Sequence, residues 1–242
     1  MSTELAVALA GVIAGALLQS ATGFGFALIV APVLAAALGP RVAVPTATLV
    51  GLLVNALTLV GEGRAPIVDV GAARVLLAAS LPGMAVGAVV LATAPQDVLR
   101  VAIAAVVVGT VVLYVLTRSA GTGRSSAVGA GLVSGVLSTT SGINGPPLVL
   151  HMRRVGMDAV RMRDTLAAYF VVSAVLTLAA LAVAGALTLP AGMLWLLAGS
   201  VAGQAAGRLA FRQLEAHREA ATLVVLALSA AAAVVPVVQV LR

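Results

Sequence analysis

Apolar residues run in long, nearly unbroken stretches at about 5–38, 42–60, 70–94, 98–117, 127–152, 165–188, 191–208 and 221–241. Each reaches the roughly 18–20 residues that a helix needs to cross a bilayer. None shows the strict alternation of a half-buried strand, so the pattern predicts an all-α polytopic membrane protein of eight hydrophobic segments. The connectors are short: Gly61-Glu62-Gly63-Arg64, Pro95-Gln96-Asp97, Arg118 to Ser126, Arg153 to Asp164, and Arg212 to Glu219. None could hold a soluble domain, so any chemistry lies inside the membrane.

The first and fifth stretches do not read as single crossings. Residues 5–38 as one helix would extend about 50 Å, well past a hydrocarbon core of roughly 30 Å. Its middle reads Gln19-Ser20-Ala21-Thr22-Gly23-Phe24-Gly25, and the middle of the fifth reads Ser138-Thr139-Thr140-Ser141-Gly142-Ile143-Asn144-Gly145-Pro146-Pro147. Glycines, hydroxyls and paired prolines interrupt helices. Each stretch is expected to enter the membrane, break and turn back, for a total of eight to ten helices.

These two stretches open two similar halves. At an offset of 120, Leu76 to Gly87 lies over Leu196 to Gly207 with seven of twelve positions identical. At 119, Gly23 meets Gly142, Thr46 meets Thr165, and Leu57-Thr58-Leu59 meets Leu176-Thr177-Leu178. Agreement at nearly one offset across both halves points to a duplication. Two transmembrane repeats are expected, 1–120 and 121–242, each a broken, re-entrant helical hairpin plus three transmembrane helices.

Charge sharpens the topology. Only 9% of residues are charged against 62% hydrophobic; all fourteen basic residues are arginine, with eight acids. This excludes a soluble enzyme, a nucleic-acid binder and a disordered chain. If both openings are hairpins, each half makes an odd number of further crossings and the repeats are inverted. Eleven arginines then share one face (Arg64, Arg74, Arg118, Arg124, Arg153, Arg154, Arg161, Arg163, Arg208, Arg212, Arg218) and three the other (Arg41, Arg100, Arg242). Single crossings would split them nine to five. The positive-inside rule favours the hairpins, with both termini outside the cytoplasmic membrane. With no cysteine and two histidines, neither a cofactor nor a metal site is expected. The amino terminus shows no basic region or clear cleavage site, so no removable signal peptide is expected.

Inverted repeats with broken helices at matching positions are the pattern of a secondary transporter, with its ligand near the midplane. A helix that begins inside the membrane offers unpaired N–H groups and a positive dipole end, an anion site without a buried cation. The expected substrate-binding residues are therefore Gln19, Ser20, Thr22, Gly23, Phe24 and Gly25 from the first break. Ser138, Thr139, Thr140, Ser141, Gly142, Asn144 and Gly145 come from the second. Thr46 and Thr165 join them as equivalent hydroxyls, and Asn55 as a mid-span amide. The plainer reading of such residues is helix packing, and it is preferred for Gly11-x-x-x-Gly15, Gly83-x-x-x-Gly87 and Gly203-x-x-x-Gly207. Asn55, Gln204 and Tyr169 suit helix-to-helix hydrogen bonds equally well. His151, beside Arg153 and Arg154, reads as an interfacial residue rather than a proton relay.

The two motifs Ala21-Thr22-Gly23-Phe24-Gly25-Phe26-Ala27 … Pro32 and Ser141-Gly142-Ile143-Asn144-Gly145-Pro146-Pro147, on a duplicated chain of this length, resemble the sulfite exporter TauE/SafE family, also called the 4-toluenesulfonate uptake permeases. The resemblance covers essentially the whole chain. It implies movement of small sulfur-containing anions such as sulfite, sulfonates or sulfoacetate. Many members carry a longer glycine run at the first break; Phe24 and Phe26 interrupt it here, which would suit an anion with an apolar body. All eight acids fall in or beside predicted loops, and no phosphate-binding loop is present, so neither an intramembrane carboxylate relay nor direct ATP drive is expected. An anion channel would use the same parts, and a membrane-embedded enzyme would need a convergent acid, base, metal or nucleophile, for which His151 with Asp158 or Asp164 is the one weak candidate. Expected partners are the anion and the lipid bilayer, with a homodimer open and nucleic acid excluded.

Overall fold

The structure, a computed structural model, describes residues 2–22, 25–61, 63–117 and 125–214. Among them the secondary structure is entirely helical: α1 (Thr3–Thr22), α2 (Phe26–Leu38), α3 (Pro40–Val60), α4 (Val70–Thr93), α5 (Gln96–Thr117), α6 (Ala127–Thr140), α7 (Gly145–Arg154), α8 (Ala159–Val183) and α9 (Met193–Leu214). Stretches in α1, α3, α4, α5 and α8 are long and apolar enough to cross a membrane. The last apolar stretch, 221–241, lies outside the described residues.

Both long openings are broken where glycine permits it. Gly25, at φ 101°, precedes α2, and Gly142, at φ 72°, separates α6 from α7. An L side chain in this left-handed region costs roughly 1–2 kcal/mol, so these turns fall on glycine. After each break the chain reverses. A Cβ at Gly15 would overlap Val30, and one at Gly11 would overlap Val33, so α2 runs back along α1. In the second opening Ser134 contacts Asn144 near the turn, and Ser125, just before α6, contacts His151 near the end of α7. The returning arms have 13 and 10 residues, about 20 and 15 Å of helix, too short to span.

Glycine faces set the closest helix contacts. Gly83 and Gly87 of α4 lie against the Leu132 and Val136 carbonyls of α6, while Gly131 and Gly135 of α6 lie against the Leu76 and Ser80 carbonyls of α4. Gly203 and Gly207 of α9 lie against the Ile13 and Leu17 carbonyls of α1. In these helix pairs Leu132 and Val136 stand 119 positions after Ile13 and Leu17, and Gly203 and Gly207 stand 120 after Gly83 and Gly87. Only small residues allow backbones this close, and inside lipid that close fit is a main source of attraction. Helix α3 packs on α8 between the two pairs.

Apolar side chains fill the remaining space. Val12, Leu34, Val50 and Ile103 join α1, α2, α3 and α5; Leu76, Leu148, Met152 and Leu166 join α4, α7 and α8. Outside, α4, α5, α8 and α9 expose Val86, Val89, Val108, Val175 and Trp195, a surface that lipid can cover.

Arginine contacts mark the two ends of the bundle. At one end the Arg41 guanidinium donates to the carbonyls of Ala92 and Ala94, and the Thr188 hydroxyl donates to the Arg41 carbonyl. At the other, Arg64 donates to both carboxylate oxygens of Asp164 at 2.7 and 3.1 Å. Asp164 also accepts from Ile67 N at 2.7 Å, and Thr165 Oγ1 accepts from Asp69 N at 2.9 Å. This alters one sequence expectation. The segment Arg161 to Asp164 is not a connector but the opening of α8, because Asp158 caps that helix by accepting from Arg161 N. Asp164 is thereby a buried, paired carboxylate rather than a loop acid, which removes it from the exposed acids without making it a free proton carrier.

Candidate functional site

The two breaks line one cavity of about 110 Å³, far more than the roughly 10–15 Å³ that a single water needs. The first contributes Gln19, Gly25 and Phe26; the second contributes Ser138, Gly142, Ile143, Asn144, Gly145 and Pro146. One wall comes from α3 through Ala47, Thr48, Gly51 and Asn55, another from α5 through Thr110 and Leu113, and a third from α8 through Phe170 and Ser173. The cavity follows α7 from its start, past Val149 and Leu150, to Arg153 near its end. Arg153 is exposed and is the one charged residue among the described lining residues. Most of the wall is hydrocarbon.

Each break is held by a different bonding pattern. At the first, Gln19 Oε1 accepts from Phe26 N at 3.2 Å, and its Nε2 donates to Asn55 Oδ1 at 3.1 Å. Asn55 Nδ2 in turn donates to the Gly51 carbonyl at 2.7 Å. One amide therefore secures the start of α2 to α3. At the second break, Ser141 Oγ donates to the Leu137 carbonyl at 2.8 Å and accepts from Ile143 N at 3.3 Å. The Asn144 carbonyl accepts from Ser134 Oγ at 2.9 Å. Pro146 and Pro147 carry no N–H, so the start of α7 has fewer donors than an ordinary helix start. Among the described residues, the N–H groups of Asn144 and Gly145 make no backbone hydrogen bond outside the helices.

Of the sequence-predicted residues, Gln19, Gly25, Asn55, Ser138, Gly142, Asn144 and Gly145 share this cavity. Asn55 is both a cavity residue and a helix-to-helix bond, so its two readings coexist. Ser138 Oγ lies 2.6 Å from Thr177 Oγ1, and Asn144 Nδ2 donates to Ser173 Oγ at 3.4 Å. Six others lie elsewhere. Ser20 donates to the Leu17 carbonyl and meets Gly207 of α9; Thr139 donates to the Met84 carbonyl and meets Gly87 of α4. Thr140 bonds back to the Val136 carbonyl and Ser141 shapes the turn. Thr165 receives the Asp69 N–H, and Thr46 is fully buried with no partner for its hydroxyl among the described residues. Gly23, Phe24 and the side chain of Thr22 fall outside the described residues.

Sequence reasoning passed over Thr48, Thr110, Phe170 and Ser173, which look like ordinary span residues until the helices are assembled. Gln204 and Tyr169 follow their helix-bonding reading: Gln204 Nε2 donates to Thr58 Oγ1 at 3.0 Å, and Tyr169 Oη lies 3.1 Å from Ser134 Oγ. His151 Nδ1 lies 3.0 Å from Ser125 Oγ, and burial lowers its pKa below the ordinary imidazole value. That favours a neutral, hydrogen-bonded ring.

Among the described residues no group of three or more His, Cys, Asp or Glu side chains is placed to hold a metal. The chemistry available is polar recognition in an apolar chamber near two helix starts. A family model described as "Sulfite exporter TauE/SafE" matches residues 7–234. No curated protein and no solved structure matches the chain.

Proposed function

The chain belongs to the sulfite exporter TauE/SafE family, and from that premise we propose a carrier that moves a small sulfur-containing anion such as sulfite, a sulfonate or sulfoacetate across the cytoplasmic membrane. It is a multi-pass membrane transporter, not an enzyme. In the proposed arrangement two inverted repeats each open with a re-entrant hairpin, and the anion sits between the two breaks. The repeated contact register of α4–α6 and α1–α9 supports duplication. Arg64, just past the end of α3, pairs with Asp164 at the start of α8, so these corresponding helices of the two halves run antiparallel, which supports the inverted topology; the uneven count of arginines supports placing the Arg64 end inside.

One observation carries the site: residues of both breaks line a single cavity, and no carboxylate is among its described lining residues. An anion there meets helix-start N–H groups and the Asn55, Asn144 and Ser138 side chains. Arg153 at the far end raises the local anion concentration without a charge at the centre. The largely hydrocarbon wall suits an anion with an apolar body, while the polar end suits the oxyanion group.

Purified protein in liposomes, offered sulfite, thiosulfate, sulfoacetate, 4-toluenesulfonate and acetate in turn, tests this. Saturable uptake of a sulfur anion, accelerated by the same anion on the far side, is expected of the carrier. Flux that never saturates and carries large currents would replace the carrier by a channel. Absence of flux for every sulfur anion would overturn the substrate class.

A further inference from the structure

The two breaks differ in which half of the peptide group is already engaged. At the first, the Gln19 side chain takes the Phe26 N–H. At the second, the Ser134 hydroxyl takes the Asn144 carbonyl. In a trans peptide the carbonyl and the following N–H point in opposite directions, and no described peptide is cis. Drawing the Asn144 oxygen toward Ser134 therefore turns the Gly145 N–H the other way. Ser134 does not line the cavity, whereas Asn144, Gly145 and Pro146 do.

Ser134 is itself constrained. It is fully buried in α6, and its Oγ lies 3.1 Å from the hydroxyl of Tyr169, a fully buried residue of α8. Since the Ser134 hydrogen goes to the Asn144 carbonyl, Tyr169 supplies the hydrogen between the two hydroxyls. The result is a buried chain, Tyr169 O–H to Ser134 O–H to Asn144 C=O, that joins α8 and α6 to the start of α7. Hydrogen bonds in such chains polarise and strengthen one another in a low dielectric. With Pro146 and Pro147 lacking N–H groups, the orientation of the 144–145 peptide decides much of what this helix start can donate.

We infer that Tyr169 and Ser134 are positioning residues that hold the Asn144–Gly145 peptide with its N–H toward the cavity, so that the oxyanion group is received at the second break while the first serves as a strut. Neither residue touches the anion. This rests on the carrier reading above and adds which break binds and what orients it. Freed from Ser134, the peptide can rotate and present its carbonyl to the cavity, which repels an anion.

The test compares wild-type protein with Ser134→Ala, Tyr169→Phe and the double variant in liposomes, using sulfite and sulfoacetate as probes. KM is expected to rise about tenfold in Ser134→Ala, as for the loss of one hydrogen bond, and less in Tyr169→Phe. Vmax per folded protein stays within about twofold, since uniform binding rather than the moving step is lost. The double variant has the KM of Ser134→Ala alone, because both residues act through the same peptide. A merely structural role would instead lower thermal stability and Vmax with KM unchanged, and that result overturns the inference. Tyr169→Phe is nearly isosteric and keeps the test decisive should Ser134→Ala fail to fold: an unchanged KM there also overturns it. If wild-type protein moves neither probe, the carrier reading itself has failed; if it moves one saturably and the variants keep its KM, only the positioning role has failed.

Discussion

Gln19 has both ends of its amide engaged, the oxygen by Phe26 N–H and the nitrogen by Asn55 Oδ1, while 5% exposed. Its residue type announced a polar group inside an apolar span, and the adjoining glycines announced a break. Neither showed that it would brace α2 against α3. Gln19→Met keeps the volume and leaves two buried polar groups unpaired, each costing about 1–3 kcal/mol. Such a variant is expected to melt several degrees below wild type in detergent, and an unchanged melting curve would remove the strut. Ser20 and Thr139 show the opposite outcome. Both sit in break motifs, yet helical phase turns them onto Gly207 and Gly87 of neighbouring helices. A hydroxyl has the same sequence signature whether it faces a ligand or a packed helix, so the motif alone could not separate them.

At the scale of the element, the small-x-x-x-small patterns were legible as packing faces, and the structure sets Gly83 and Gly87 of α4 against α6, Gly203 and Gly207 of α9 against α1, and Gly11 and Gly15 of α1 against α2. Which helix meets which was not legible, because any two glycine faces can approach closely. In the first two pairs the contact is backbone against backbone, so a larger side chain has nowhere to go. Gly83→Val and Gly203→Val must push whole helices apart, and overpacking of this kind costs about 1–3 kcal/mol or more. Both are expected to give aggregated or poorly melting protein by size exclusion. Gly109→Ala, with no described atom beyond its own stretch of helix within 4 Å of its Cβ position, is expected to behave as wild type. Equal behaviour of all three would show that these glycines do not set the packing. The start of α8 was misjudged from sequence for a related reason: three charged residues between Arg161 and Asp164 looked like a loop until Asp158 capped the helix and Arg64 neutralised Asp164.

For the whole molecule, the uneven scatter of arginines gives an orientation that chemical labelling can read directly. The chain contains no cysteine, so single introduced thiols report without background. Asp97→Cys and Leu189→Cys sit near the ends of helices at the Arg41 end, and Ala65→Cys and Ala159→Cys near the Arg64 end; all four positions are exposed. An impermeant maleimide applied to intact cells is expected to reach the first pair and to reach the second only after permeabilisation. Labelling of Ala65→Cys from outside would reverse the proposed topology, and a mixture within either pair would dismantle it. The same arrangement explains why the Arg64–Asp164 pair joins residues 100 positions apart: antiparallel α3 and α8 bring one end of each half together.

Hydropathy, glycine and proline placement and the count of arginines determined by themselves that this chain is helical, lies in the membrane, breaks two of its helices and carries little charge. These are local or additive properties, set by transfer free energy and backbone sterics at each position. The family resemblance lay in the same short motifs. Only the tertiary structure decided that residues from both breaks share a chamber with α3, α5 and α8, that Arg153 is its one described charge, and that Ser134 and Tyr169 lie behind the second break. Those facts depend on helix rotation and on which faces meet. Rotation is fixed by close backbone packing at a few glycines, and the energy of that packing belongs to pairs of segments far apart in the chain.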